Sequence, residues 1–306
     1  MTIAIFLGSL LAAMAIGIPI SFSLLLCGAA LMWHLDIFDA QILAQNVIEG
    51  ANSFPLLAVP FFMLAGEIMN AGGLSRRIVN FAMSLVGHIK GGLGYVAILS
   101  ACIMAALSGS AVADAAALSA LLLPMMVAAG HDKARSAGLL ASASIIAPII
   151  PPSIAFVIFG VAANVSISKL FMAGIVPGLM LGASLWFTWG FLARREQVAV
   201  PARKTAAEVV AAFKDATFAL VMPIIVIVGL KFGVFTPTEA AVVAAVYALF
   251  VSTVIYGELK VSQLYGLFLA AAKTTAVIMF LVAAAMVSAW LITVAQLPAQ
   301  LVALLQ

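Results

Sequence analysis

GGLGYVAILSACIMAALSGSAVADAAALSALLLPMMVAAGHDKARSAGLLASASIIAPIIPPS, residues 91–153, decides the fold. An apolar arm, 94–107, runs into a small polar turn, Ser108-Gly109-Ser110-Ala111-Val112-Ala113-Asp114, and a second apolar arm, 115–130, follows. Lys90 precedes the first arm, and Lys133 and Arg135 follow the second. Lys and Arg collect on the cytoplasmic side of membrane proteins, so both outer ends are expected there. The chain would enter the bilayer, turn on a polar tip and come back, as a re-entrant hairpin. A third apolar segment breaks at Pro151-Pro152-Ser153. Irregular backbone at membrane depth survives only where it is buried in protein or lines a watery cavity. Paired breaks of this kind point to a transporter's substrate and ion site.

Composition agrees with a membrane reading. Of 306 residues, 66% are hydrophobic and 8% charged. Soluble domains carry about 25% charged residues, so a soluble fold is excluded. The apolar runs are continuous rather than alternating, which excludes a transmembrane barrel. The net charge of +3 is not a nucleic-acid signature, because the 14 Lys and Arg gather in a few loops, as membrane orientation requires. Cys27 and Cys102 sit in apolar runs without metal-ligand spacing. The first apolar run starts at Ile3 with no basic segment before it, so it reads as a spanning helix, not a cleaved leader.

Taken in order, residues 3–33 form one apolar stretch interrupted at Gly17-Ile18-Pro19, expected as a single tilted or kinked span. Residues 40–48 read as an interfacial helix outside the cytoplasm, 55–69 as a span returning inward, and 75–88 as an amphipathic arm on the inner surface. Spans at 171–192, 216–232, 240–256 and 274–293 follow, with a polar cytoplasmic linker at 196–215 and an interfacial piece at 258–272. A further amphipathic stretch begins at Pro298. On this topology twelve Lys and Arg lie inside and two, Lys169 and Lys231, outside. The N-terminus is expected in the cytoplasm.

The order span, interfacial piece, span, arm occurs at 3–88 and recurs inverted at 240–306, which predicts an inverted repeat. Four regions result. Residues 1–90 are scaffold spans and arm. Residues 91–170 are the transport core of hairpin and broken helix, and 171–238 are connecting spans and linker. Residues 239–306 begin a second repeat that is expected to be incomplete.

Asp114 is the candidate chemical centre, since an ionisable group at membrane depth is costly and functional by default. With Ser108, Ser110 and freed backbone carbonyls near Gly109 it offers the oxygen ligands Na⁺ needs, and Ser153 could close the shell from the second break. The alternative is that these Ser and Asp residues only cap helix ends. Glu67 is expected to pair with Arg76 or Arg77. Glu239 is expected in the first turn of a helix, where the dipole favours its charge. The three His residues, 34, 88 and 131, fall at interfaces. No metal spacing, nucleophile elbow or phosphate loop is present.

The segment 108–114, the Ile149-Ile150-Pro151-Pro152-Ser153-Ile154 break, Leu64-Ala65-Gly66-Glu67 with Gly72-Gly73, and Phe235-Thr236-Pro237-Thr238-Glu239-Ala240 closely resemble the large membrane subunit (DctM type) of TRAP, tripartite ATP-independent periplasmic, transporters. The resemblance covers essentially the whole chain and is strongest to the sugar-acid permeases. It implies an all-α, polytopic, inverted-repeat elevator-type transporter in the bacterial inner membrane, driven by Na⁺ and without a further cofactor. It also implies two partners, a DctQ-type small membrane subunit and a periplasmic solute-binding protein. In the family, residues matching Ser108, Ser110, Asp114 and Ser153 line a Na⁺ site. The adjoining substrate surface would be lined by Ser110, Pro151, Pro152 and Ser153. Family members continue into a second hairpin and a Thr-Pro-Pro break, which this sequence lacks, so a C-terminally truncated subunit is expected. An integral membrane enzyme and a non-transporting remnant are the competing readings. The enzyme would need a second titratable group beside Asp114, and Glu67 lies in another span.

Overall fold

The computed structural model describes residues 2–194, 198, 200–296, 299 and 302, and every regular element among them is helical. Six of these helices are long and apolar enough to cross a membrane. Large apolar side chains such as Phe187, 76% exposed, and Leu11, 61% exposed, cover the outside, as a hydrocarbon solvent permits. The protein is a polytopic helical membrane protein. It folds into two units, residues 1–56 with 273–306, and residues 57–272.

The first unit corrects the reading of residues 3–33. In place of one kinked span there are two helices, α1 (Thr2–Ala15) and α2 (Ile20–His34). Gly17 takes a left-handed φ of +86°, a conformation without steric cost only for glycine. Its N–H bonds back to the Met14 carbonyl at 3.0 Å, and Pro19 stands immediately before α2. The chain therefore reverses. The Cys27 thiol donates to the Phe6 carbonyl at 3.3 Å. Ile3 and Phe6, near the start of α1, pack on the cluster formed by Leu31 and Met32, near the end of α2. The two helices are antiparallel neighbours, and Thr2 and His34 lie at the same end of the pair.

The helix α3 (Ala40–Ala51) begins at Asp39, whose carboxylate accepts from the Gln41 N–H at 2.7 Å. The later part of α13 (Val261–Val294) completes this unit, with Val287 and Leu291 fully buried against Leu31 and Met32. Helix α13 is a second correction. The expected interfacial piece 258–272 and span 274–293 are one helix of 34 residues, about 51 Å long. The polar run Lys273-Thr274-Thr275 does not break it, since none of these residues removes a helical hydrogen bond or favours a left-handed turn.

In the second unit, α4 (Ala58–Ala71) packs along α12 (Pro237–Phe250). Ala240, Ala241, Ala244 and Ala248 are completely buried. Such small residues let helix backbones approach closely where lipid supplies no hydrophobic drive. The arm α5 (Leu74–Val86) lies against α6 (Gly92–Ser108) and α11 (Ala206–Lys231). Between them in sequence come α7 (Ala111–Ala128), α8 (Lys133–Ser144), α9 (Ile154–Ala162) and α10 (Ile167–Ala193).

The expected linker is shorter than 196–215. Thr205 and Glu208 form a reciprocal capping box that starts α11, so Lys214 and Asp215 are helical. Glu196 and Gln197 fall outside the described residues. The helix start at Thr236 is as expected, with a second capping box to Glu239. A π-helical turn, Val251–Ile255, follows α12. Of the stretch beginning at Pro298, only positions 299 and 302 are described.

Candidate functional site

Helix α6 ends at Ser108, and Gly109 follows with φ +59°. Ser110 is the N-cap of α7, its hydroxyl accepting from the Ala113 N–H at 3.4 Å. This Ser-Gly-Ser turn reverses the chain in two residues and brings the first turn of α7 beside the last turn of α6. The Ser108 hydroxyl donates to Asp114 Oδ1 at 2.6 Å, and the Ser110 N–H donates to the Ser108 hydroxyl at 3.3 Å. Asp114 is 0% exposed, and its Oδ2 is buried without a hydrogen-bond partner among the described residues.

The second break is built similarly. Helix α8 ends at Ser144, the chain is irregular to residue 153, and Pro151-Pro152 is a cis peptide. Ser153 is the N-cap of α9: its hydroxyl accepts from the Phe156 N–H at 3.3 Å and donates to the Pro148 carbonyl at 2.6 Å. Ser153 is fully buried, and its hydroxyl is occupied by its own segment.

The two breaks touch at Gly109. A Cβ placed there would lie 2.5 Å from the Pro152 carbonyl oxygen, 3.2 Å from the Ile154 nitrogen and 3.3 Å from Ser153 Cα. No larger residue fits that spacing. On the other side Gly66 of α4 faces Ser108, where a Cβ would meet the serine Cβ at 3.5 Å. Ser108, Gly109, Ser110, Asp114, Pro152 and Ser153 thus form one cluster, with Pro151 adjoining through the cis peptide. Two helix N-termini, of α7 and α9, and one C-terminus, of α6, meet there. Helix N-termini carry partial positive charge and C-termini partial negative charge.

Glu67 does not pair with either arginine expected for it. Arg76 Nη2 lies 2.8 Å and 2.9 Å from the two Glu258 oxygens. Arg77 binds Glu258 Oε1 at 2.7 Å and Asp215 Oδ1 at 3.1 Å, and its guanidinium stacks 3.7 Å from the Tyr256 ring centroid. The Tyr256 hydroxyl donates to the Asp215 carbonyl at 2.7 Å. Burial opposes the Arg77 charge, but bonds to Glu258 and Asp215 outweigh it and hold its pKa above the ordinary value. The reason is tertiary. Helix α5 lies beside α11, which presents Asp215, and the π-turn delivers Tyr256 and Glu258 to the Gly72-Gly73 corner. Sequence reading missed this cluster because its partners are 138 and 182 residues apart.

Residues 7–306 match the family described as the tripartite ATP-independent periplasmic transporter, DctM component. The chain is 60% identical over 306 residues, all of this chain and 72% of the relative, to a 2,3-diketo-L-gulonate TRAP transporter large permease protein of Escherichia coli (strain K12). It is 39% identical over 285 residues, 93% of this chain and 67% of the relative, to a sialic acid TRAP transporter large permease protein of Vibrio cholerae. It is 38% identical over 276 residues, 90% and 65% respectively, to a C4-dicarboxylate TRAP transporter large permease protein of Pseudomonas aeruginosa. With its helices, its paired breaks and these relatives, which are transporters and not enzymes, the chain belongs to the DctM family of TRAP transporter large permeases.

Proposed function

We propose that this chain is the large permease of a Na⁺-coupled secondary transporter that imports an organic acid, of the sugar-acid class, across the bacterial inner membrane. A DctQ-type small membrane subunit and a periplasmic solute-binding protein would complete the system. The observation that carries the coupling is Asp114, fully buried with one oxygen held by Ser108 and the other without a partner. A lone carboxylate in low dielectric must be neutralised or find a cation. Helices α6, α7 and α9 contain no Lys or Arg. A bound Na⁺ would supply the charge, with the Ser108 and Ser110 hydroxyls and carbonyls freed near Gly109 as further oxygen ligands.

The substrate's carboxylate would lie on the other side of the same cluster, against the N-termini of α7 and α9, where Ser110, Pro151, Pro152 and Ser153 line the surface. Helix N-termini favour anions. The sugar-acid class is supported by the 60% identity to a diketogulonate permease.

The hairpin α1–α2 revises the expected repeat. The elements α1, α2, α3 with α4, and α5 correspond in order to α11, α12, α13 and the segment beginning at Pro298. The inverted copy then starts at residue 206, not 240. Because Thr2 and His34 share one end, the charge asymmetry puts the N-terminus on the side of Asp36, outside the cytoplasm. Residues 91–130 would form the re-entrant hairpin of an elevator-type core.

The test is uptake of radiolabelled sugar acid into proteoliposomes holding the full permease with its two partners. An inward Na⁺ gradient should drive accumulation. Equal accumulation with K⁺ in place of Na⁺ would refute Na⁺ coupling.

A further inference from the structure

A cavity of about 280 Å³ lies between the corner of α4 and α5 and the hairpin arm α7. Asn70 lines it from the end of α4, Ser75 and Arg76 from the first turn of α5, and Glu258 from beyond the π-turn. Ala117 and Ala120 line it from α7. Ala117 stands three residues after Asp114, and Asn70 four residues after Gly66, which faces Ser108. Residues at these spacings share a helix face. The cavity therefore follows the Ser108–Asp114 cluster along both helices, about 5 Å further on each. It lies on the side of Arg76 and Arg77, which the charge asymmetry assigns to the cytoplasm.

Its polar wall has donors to spare. The hydrogen bonds of Arg76 run through Nη2 alone, to the two Glu258 oxygens, so Nε and Nη1 are without a partner among the described residues. The Ser75 hydroxyl donates to Asn70 Oδ1, which leaves the Asn70 amide N–H groups in the same condition. Glu258 is the acid on this wall, and its charge is shared: Oε1 lies 2.7 Å from Arg77 as well as 2.8 Å from Arg76. Asp215, the other acid of the cluster, binds Arg77 and does not line the cavity.

We propose that this cavity is a second site for the transported acid, occupied after it leaves the surface of Ser110 and Ser153, with its carboxylate on Arg76 and Asn70. This rests on the organic-acid reading above. A guanidinium with free N–H groups beside a free amide matches a carboxylate. The volume, at the small end of ligand cavities, suits a small acid. A cation would meet the guanidinium. An apolar ligand would strand the polar side chains on the wall.

Alkylation tests this in the full chain in detergent, with Cys27 and Cys102 replaced by alanine and Ala120→Cys introduced. Iodoacetamide should modify position 120, and D-gluconate should slow that reaction, with or without Na⁺. Failure of Na⁺ coupling would therefore leave this result standing. Gly138→Cys, on another helix, is the control and should not be protected. Arg76→Gln should raise the protecting concentration about fivefold. Glu258→Gln should lower it, whereas an arginine that only holds Glu258 would make the two variants weaken protection alike. Ala117→Cys replaces Ala120→Cys should the latter not fold. No alkylation at either position, no protection by gluconate, or equal weakening by the two variants overturns the proposal. Equal protection by sorbitol would mark a polyol site, and by inorganic sulfate a general anion site, and either overturns it. In proteoliposomes Arg76→Gln should also slow uptake while Glu258→Gln does not. Unchanged uptake in Arg76→Gln would assign the cavity to a separate carboxylate of the cytoplasm and overturn its part in release.

Discussion

Ser108 Oγ and Asp114 Oδ1, six residues apart across a two-residue turn, lie 2.6 Å from each other. That bond ties the end of α6 to the first turn of α7, and Asp114 Oδ2 is buried without a hydrogen-bond partner among the described residues. A helix cap needs only the backbone bond that Ser110 already supplies. The carboxylate is therefore surplus to capping, which the proposed Na⁺ site would account for.

Asp114→Asn should abolish the stabilisation of the purified protein by Na⁺. A ligand bound only to the folded state at a hundred times its Kd stabilises by about 2.7 kcal/mol. Thermal unfolding in Na⁺ against choline should show that shift in the wild type and none in Asp114→Asn. Ser108→Ala should keep a smaller shift, since one neutral hydrogen bond is worth about 1 kcal/mol. An undiminished shift in Asp114→Asn would reduce the carboxylate to a structural group.

Gly109→Ala should separate the two breaks. Its φ of +59° costs an alanine about 1 kcal/mol or more, and the added Cβ would stand 2.5 Å from the Pro152 oxygen, within a contact that must move. A lowered unfolding midpoint together with a weakened Na⁺ shift is expected. Gly8→Ala is the control, because its Cβ meets nothing within 4 Å. It should raise stability by about 0.5–1 kcal/mol, as alanine replaces glycine within a helix.

The local punctuation of this fold was legible. Ser110, Ser153 and Thr236 cap helices through bonds that span three residues, and short-range chemistry of that kind is written in adjacent letters; the same bond at Thr205 was missed, because the polar stretch around it reads as a linker. The proximity of residue 109 to residue 152 was inferable only from the rule that paired breaks face one cavity. The first 34 residues misled for a physical reason. Gly17-Ile18-Pro19 interrupts a kinked helix and a hairpin in the same way, and helices of 14 and 15 residues are shorter than an ordinary span. Only packing, as in the Cys27–Phe6 bond, decides between them. In α13 the error ran the other way: Lys273 marks a polar depth along a helix, not its end. The arginine cluster at Gly72-Gly73 depends on how α5, α11 and the π-turn assemble, which no local pattern encodes.

Arg77 should matter more to stability than Arg76, although both touch Glu258. The Arg77 side chain is 13% exposed and Arg76 57%. An exposed ion pair is worth about 0–1 kcal/mol, whereas Arg77 adds a second carboxylate, a backbone carbonyl and the Tyr256 ring. A double-mutant cycle of Arg77→Gln with Glu258→Gln should give the larger coupling, about 1–2 kcal/mol. The Arg76 cycle should stay below it. Equal couplings would show that the burial of Arg77 does not strengthen its pair with Glu258.

The reversal at Gly17 makes a prediction about sidedness that a single span cannot share. In a background with Cys27 and Cys102 replaced by alanine, cysteines at positions 2, 17, 36 and 257 would each be tested with a membrane-impermeant maleimide. In the hairpin, positions 2 and 36 react from the same face, because Ile3 and Phe6 pack beside Leu31 and Met32. From the charge asymmetry both are expected outside and position 257, next to Glu258 and Lys260, inside. Position 17 lies at the opposite end of α1 and α2, about 20 Å away at 1.5 Å per residue. It should be protected from the outside reagent or react only after permeabilisation. A single kinked span requires the opposite for the N-terminus: position 2 would label with position 257 and against position 36. That pattern would overturn both the antiparallel pairing of α1 with α2 and the placement of the second repeat at residue 206.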